Sequence, residues 1–232
     1  MESVLLLPRS SNTWTHQLKL FMFSNARFWA ALEQRPHWLA PTLMVISLSI
    51  ALTVAYYSSV DIEWLRSEIA ARYPELPADG FTWMNRRAMI TSGIASFALI
   101  YPMVIMGNAI YLFLYSKVLG DSRALGPWFA FASWCALPSA LGMLAGLLLV
   151  LMGGPRQSFE AIFNSLSIVT FIDTDALPQS AALLAGLFSA PLVLQLLATA
   201  TGLRLWLKIA WLHAAAVSVI PIAVMYLWMM LS

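Results

Sequence analysis

Of 232 residues, 60% are hydrophobic and only 10% charged. Soluble domains carry about 25% charged residues, so a water-soluble fold cannot hide this much apolar surface and lipid must be the solvent for much of the chain. The formal charge of +2 is too small to argue for nucleic acid, and the lone cysteine, Cys135, excludes an internal disulfide framework.

In chain order, the N-terminal run MESVLLLPRSSNTW holds three leucines stopped by Pro8. A cleavable signal needs roughly 7–15 apolar residues behind a basic start, so none is expected. Residues 17–32, QLKLFMFSNARFWAAL, gather Leu18, Phe21, Met22, Phe28, Trp29 and Leu32 at mixed helical spacing, with Lys19 and Arg27 among them. That pattern predicts a helix lying in the cytoplasmic interface of a membrane.

Spanning a hydrocarbon core takes roughly 20 apolar residues. Five stretches meet this: Trp38 to Ser59, Ala88 to Tyr115, Pro127 to Met152, about Ala181 to Thr201, and Ile209 to Leu231. None contains Asp, Glu, Lys or Arg, each of which costs about 2.5–3.5 kcal/mol at a span centre. The expected fold is an all-α membrane protein, a bundle of about five transmembrane helices with an N-terminal interfacial helix. Residues 1–37 form the cytoplasmic segment and residues 38–232 the five-helix domain.

Between the first two spans, DIEWLRSEIAARY predicts a short helix ahead of the breakers Pro74 and Pro77, in a loop solvated by its acids and arginines. Residues 159–172 repeat apolar positions at Phe159, Ile162, Phe163, Leu166 and Val169. That helical period is too short to span, which predicts a half-buried or surface-lying helix. In FIDTDAL, residues 171–177, Asp173 and Asp175 could accept hydrogen bonds or hold a cation weakly, and a turn ahead of Pro178 is the simpler reading.

Sidedness follows the basic residues. Arg9, Lys19, Arg27, Arg35, Lys117, Arg123, Arg204 and Lys208 fall on one side, and Arg66, Arg72, Arg86, Arg87 and Arg156 on the other. The positive-inside bias puts the N-terminus in the cytoplasm and the C-terminus outside, against the local pull of Arg86 and Arg87.

Pro102, Pro138, Pro191 and Pro221 interrupt four spans. They could shape a pathway or hinge, or simply reflect the frequency of proline in membrane helices. Trp128 to Pro138 and Trp211 to Pro221 share a ten-residue spacing, a faint echo of an internal repeat. Asn108, Gln195 and His213 are the polar intramembrane candidates: interhelical bonds for the two amides, an interfacial anchor for the imidazole. Gly142 and Gly146 form a small-xxx-small pair for close helix packing, with Pro138 and Pro221 as further packing candidates. Trp38, Trp83, Trp128, Trp206, Trp211 and Trp228 near span ends fit indoles at headgroup level. No metalloprotease, serine-hydrolase, phosphate-loop or Cys/His metal signature occurs, so no catalytic residue, metal or cofactor is expected.

The lead-in FSNARFWAALEQRPHWLAP resembles that of bacterial Yip1-family proteins, as do WFAFASWCALPSALGML with its mid-depth Leu-Pro and LVLQLLATATGLRLWLKIA with its Gly-Leu pair before a basic loop. The acidic Asp-Leu-Tyr-Gly-Pro-like motif of eukaryotic relatives is missing, so their role in vesicle trafficking is not carried over. The resemblance implies a five-span bundle without enzyme activity that acts through partners in the membrane. The reading is therefore a multi-pass protein of the bacterial cytoplasmic membrane, a scaffold or accessory subunit. Its expected partners are the bilayer, another membrane protein and, as an open alternative, further copies of itself in a homo-oligomer. The other reading is a small transporter or lipid-handling protein, with Asn108, Gln195 and His213 facing a cavity between proline-kinked helices.

Overall fold

The computed structural model describes residues 21, 25–72, 81, 83–170, 181, 185, 186 and 188–231. Its helices are α1 (Asn25–Gln34), α2 (Leu39–Ser59), α3 (Ile62–Arg72), α4 (Arg86–Val118), α5 (Leu125–Cys135), α6 (Ser139–Met152), α7 (Phe159–Phe163), α8 (Ala190–Leu207) and α9 (Trp211–Leu231). Among the described residues no β-strand forms; an isolated bridge joins Ser167 and Ser189.

Among the described residues four stretches are long and apolar enough to cross a membrane: Leu39–Ser59, Arg86–Val118, Leu125–Met152 and Ala190–Leu207. The C-terminal helix contributes a shorter apolar stretch, Trp211–Val224. Sequence reasoning placed the fourth span too early. Ser189 caps α8 by accepting from Leu192 N–H at 3.3 Å, and a proline occupies the first turn, where its missing N–H is harmless. The helix then runs past Thr201 to Leu207, taking Arg204 into its last turn, and ends where Lys208 turns left-handed at φ 54°.

The third span is not one helix. Pro138 offers no N–H, and Leu137, Ser139, Ala140 and Leu141 bond back three residues instead of four, splitting α5 from α6. Pro191 stands at a helix start, while Pro102 and Pro221 lie within continuous helices. The four prolines therefore do different things. Trp128 is fully buried on the broken third span, whereas Trp211 is exposed on an unbroken helix, so the two tryptophans of the spacing echo have different surroundings.

Among the described residues three buried clusters hold the bundle: Ile105, Ala109, Ala132 and Ala136 join α4 to α5, and the other two lie toward its ends. At the α3 end, Leu52, Tyr56, Val60, Leu65, Val150 and Ile162 pack together. At the α1 end, Phe28, Trp29 and Leu32 enter a cluster with Trp128, Phe131, Trp134, Leu203 and Trp206. Phe28, Trp29 and Leu32, expected to meet lipid headgroups, pack against protein instead, while Leu18 and Met22 of that expected helix lie outside the described residues. Buried hydroxyls of Ser49, Thr53, Ser133, Thr199 and Ser218 donate to the carbonyl four residues earlier on their own helices, so these polar atoms need no partner across the bundle.

The stretch after α6 also differs from expectation. The helix is only Phe159–Phe163, followed by a turn and a short 3-10 turn at Ile168–Thr170. The chain doubles back: Ile168 N–H donates to Phe188 O at 2.9 Å and Ala190 N–H to Leu166 O at 3.0 Å. Ser165 Oγ donates to Gly142 O at 3.2 Å. Gly142 lies ten residues before the end of α6 at Met152, about 15 Å at 1.5 Å per residue. The segment thus reaches well down the side of α6 rather than lying flat at its end, and α8 starts at that same depth. FIDTDAL, residues 171–177, lies outside the described residues.

Candidate functional site

A cavity of about 500 Å³ opens between α1, α2, the α5–α6 break and α8. The break creates it: Leu137, Pro138, Ala140, Leu141 and Leu144 form one wall, and Leu194, Leu197, Ala198 and Thr201 form the other. Met44 of α2, Phe21 and Trp29 complete the described lining. On α8 the lining positions recur three and four residues apart, the spacing of one helix face. Among the described lining residues none is ionisable, and Thr201 supplies the one hydroxyl. The described walls are apolar and offer an apolar ligand a shaped space of ordinary binding-site size.

Beneath the cavity the α1-end aromatics interlock. Trp29 meets Phe28 at 5.0 Å and Phe131 at 4.7 Å, and Trp206 meets Trp128 at 5.1 Å and Phe131 at 4.9 Å. Gly202 makes this possible, because a Cβ there would overlap the Phe131 ring and crowd Trp29. Indole N–H groups tie the layer to backbone: Trp206 donates to Trp29 O at 3.0 Å and Trp134 to His37 O at 2.7 Å. Arg123 covers the outside, its guanidinium 5.2 Å from the Trp206 ring and paired with Glu33 of α1 and, at 2.6 Å, with Asp121. This charge cluster fastens α1 to the α4–α5 turn.

The polar candidates do not gather at the cavity. Asn108 is half-buried on α4, Gln195 half-buried on α8, and neither lines it. His213 is exposed, its Nε2 2.8 Å from the Tyr115 hydroxyl across the α4–α9 contact. None of the three is among the described residues that line the cavity. Of the packing candidates, Gly146 lets α6 touch Leu52 and the Ile162 carbonyl, Gly142 faces Pro191 at a looser distance, and Pro138 lines the cavity. Pro221 lies half-buried within α9.

The tryptophans divide. Trp38, Trp83 and Trp211 are exposed, as headgroup-level indoles would be, but Trp128 and Trp206 are buried inside protein; the Trp228 side chain lies outside the described residues. Cys135 is buried with its thiol free. Among the described residues no group of three or more His, Cys, Asp or Glu is placed to hold a metal ion. Sequence reasoning missed the leucines of the cavity walls, because in a span an inward Leu and a lipid-facing Leu read alike.

Compared with known proteins, residues 19–232 match the family model of the Yip1 domain. No curated protein and no solved structure matches the chain.

Proposed function

The chain belongs to the Yip1 family, and from that premise we propose that this multi-pass membrane protein is a non-enzymatic scaffold or accessory subunit for membrane partners. It sits in a bacterial cytoplasmic membrane with α9 as a fifth span, the N-terminus in the cytoplasm and the C-terminus outside. The charge distribution supports that sidedness: Arg27, Arg35, Lys117, Arg123, Arg204 and Lys208 belong to the α1 end, where the positive-inside rule places the cytoplasm.

The observation that carries the scaffold reading is that the helices outside the spans are rigidly mounted yet keep one face free. α1 buries Phe28, Trp29 and Leu32 and turns Ala26, Arg27, Ala30 and Gln34 outward. α3 is held by Arg66, which donates to Met84 O from Nε at 2.9 Å and from Nη2 at 2.6 Å, and it turns Glu63, Ser67 and Ala71 outward. Fixed helices with small or polar outward residues suit docking at little ordering cost. Affinity purification in mild detergent is expected to recover a stoichiometric membrane-protein partner, lost on Ala30→Arg or on Glu63→Lys with the fold unchanged. A solitary monodisperse monomer in several mild detergents would overturn the reading.

A further inference from the structure

The cavity is open sideways. Its lips are Leu141 and Leu144 on α6 and Leu194 and Leu197 on α8, each between 42% and 48% exposed. All four belong to spanning stretches, so the medium at the opening is hydrocarbon and the cavity continues the protein–lipid interface inward. Left empty, its walls would lose their dispersion partners. Filled with water, it would hold molecules needing two to four polar partners each, where the described lining side chains supply one hydroxyl. Hydrocarbon is the occupant that costs least. At about 30 Å³ for a water-sized group, the volume has room for on the order of fifteen methylenes, the length of one acyl chain.

The rim at the α1 end adds charge. Arg204 continues the lining stripe Leu194, Leu197 and Thr201 by three residues, which puts it on the same face one turn nearer that end. It is exposed, and Lys208, also exposed, follows at the helix end. Arg66, Arg123 and Arg156 each pair with a carboxylate, but among the described residues none pairs with Arg204. A guanidinium in that position offers a two-pronged contact to phosphate.

We propose that this cavity is a binding site for one anionic glycerophospholipid, an acyl chain filling the slot and the phosphate resting on Arg204. The site goes beyond the scaffold reading and stands whether or not a protein partner is found.

Native mass spectrometry of the full chain in mild detergent tests it, with phosphatidylglycerol, phosphatidylcholine or a free fatty acid added in separate arms. The wild type is expected to retain one phosphatidylglycerol, preferred over phosphatidylcholine by about tenfold, or about 1.4 kcal/mol, because both carry the phosphate but the choline ammonium opposes the Arg204 and Lys208 charges. It is also expected to gain a few degrees in thermal midpoint from that lipid. Ala198→Phe and Thr201→Met fill the slot from inside and are both used, so that one folded variant suffices; each should lose the adduct and the thermal gain. Leu212→Phe, on an exposed position of α9 away from the cavity, should keep both. Arg204→Gln should keep a bound chain and lose the headgroup preference. Slot-filled variants that hold as much lipid as the Leu212 variant would overturn the site. An unchanged preference in Arg204→Gln, or equal retention of free fatty acid, would overturn the phosphate contact.

Discussion

Gly142 and Gly146 share one helix and one residue type, so replacing each by alanine isolates a single term. A methyl at Gly146 would sit 2.6 Å from the Ile162 carbonyl oxygen and 3.1 and 3.3 Å from the two Leu52 methyls. A comfortable carbon–oxygen approach is about 3.3 Å, so α7 must retreat by about 0.7 Å. The obstacle is backbone, tied into the turn after α7, and cannot swing aside as a side chain would. At Gly142 the nearest atom to the same methyl is Pro191 Cγ at 3.5 Å, an ordinary contact. Alanine favours helix over glycine by about 0.5–1 kcal/mol at either position. That gain cancels in the comparison, leaving the overpacking term of about 1–3 kcal/mol. Gly142→Ala is therefore expected to match or exceed the wild type, with Gly146→Ala less stable than Gly142→Ala by that margin. Reversible denaturation in mixed detergent micelles, followed by tryptophan fluorescence, measures the difference. Equal stabilities, or a Gly142 variant worse than the Gly146 variant, would refute the packing of α6 against α7 and α2 described above.

Other perturbations separate the layers of the bundle. Trp29→Ala removes a fully buried ring from the α1 contact and is expected to cost about 3–5 kcal/mol, read as a lower thermal midpoint and protease cleavage between α1 and α2. Arg123→Met strands Asp121, whose side chain is only 10% exposed, and should cost about 1.5–3 kcal/mol; Glu33→Gln, at 45% side-chain exposure, should cost under about 1 kcal/mol. The reverse order in thermal unfolding would contradict the pairing. Tyr115→Phe removes an exposed hydrogen bond to His213 and should change stability by less than about 1 kcal/mol, and His213→Ala combined with it should add little in a double-mutant cycle.

Much of the bundle was legible from the sequence, and the reason is energetic. Long uncharged stretches have one favourable solvent, so Leu39–Ser59 was readable almost to the residue, and so were the far ends of the third span at Met152 and of the last helix at Leu231. The fourth span was displaced because hydropathy alone weighed Ala181 to Thr201 and overlooked the start signal in Ser189 and Pro191. Residues 159–172 carried a helical period, but among those described only Phe159–Phe163 stay α-helical, as Ser165 and Ser167 find carbonyls on other segments. Trp128 and Trp206 were placed near the correct end and given the wrong neighbours, since an indole satisfied by lipid headgroups and one buried among rings have the same local sequence.

The sequence by itself determined which segments leave water, where their charged ends fall and that no catalytic signature is present. Only the tertiary structure decided which apolar faces meet one another, because in a membrane the inward and outward faces of a span are both apolar and carry no periodic distinction. The cavity, the aromatic layer that closes it and the chain segment folded down beside α6 all arise from contacts between residues far apart in sequence. Their positions were set by where Gly146 and Gly202 let backbone and rings approach and where Pro138 broke the helix.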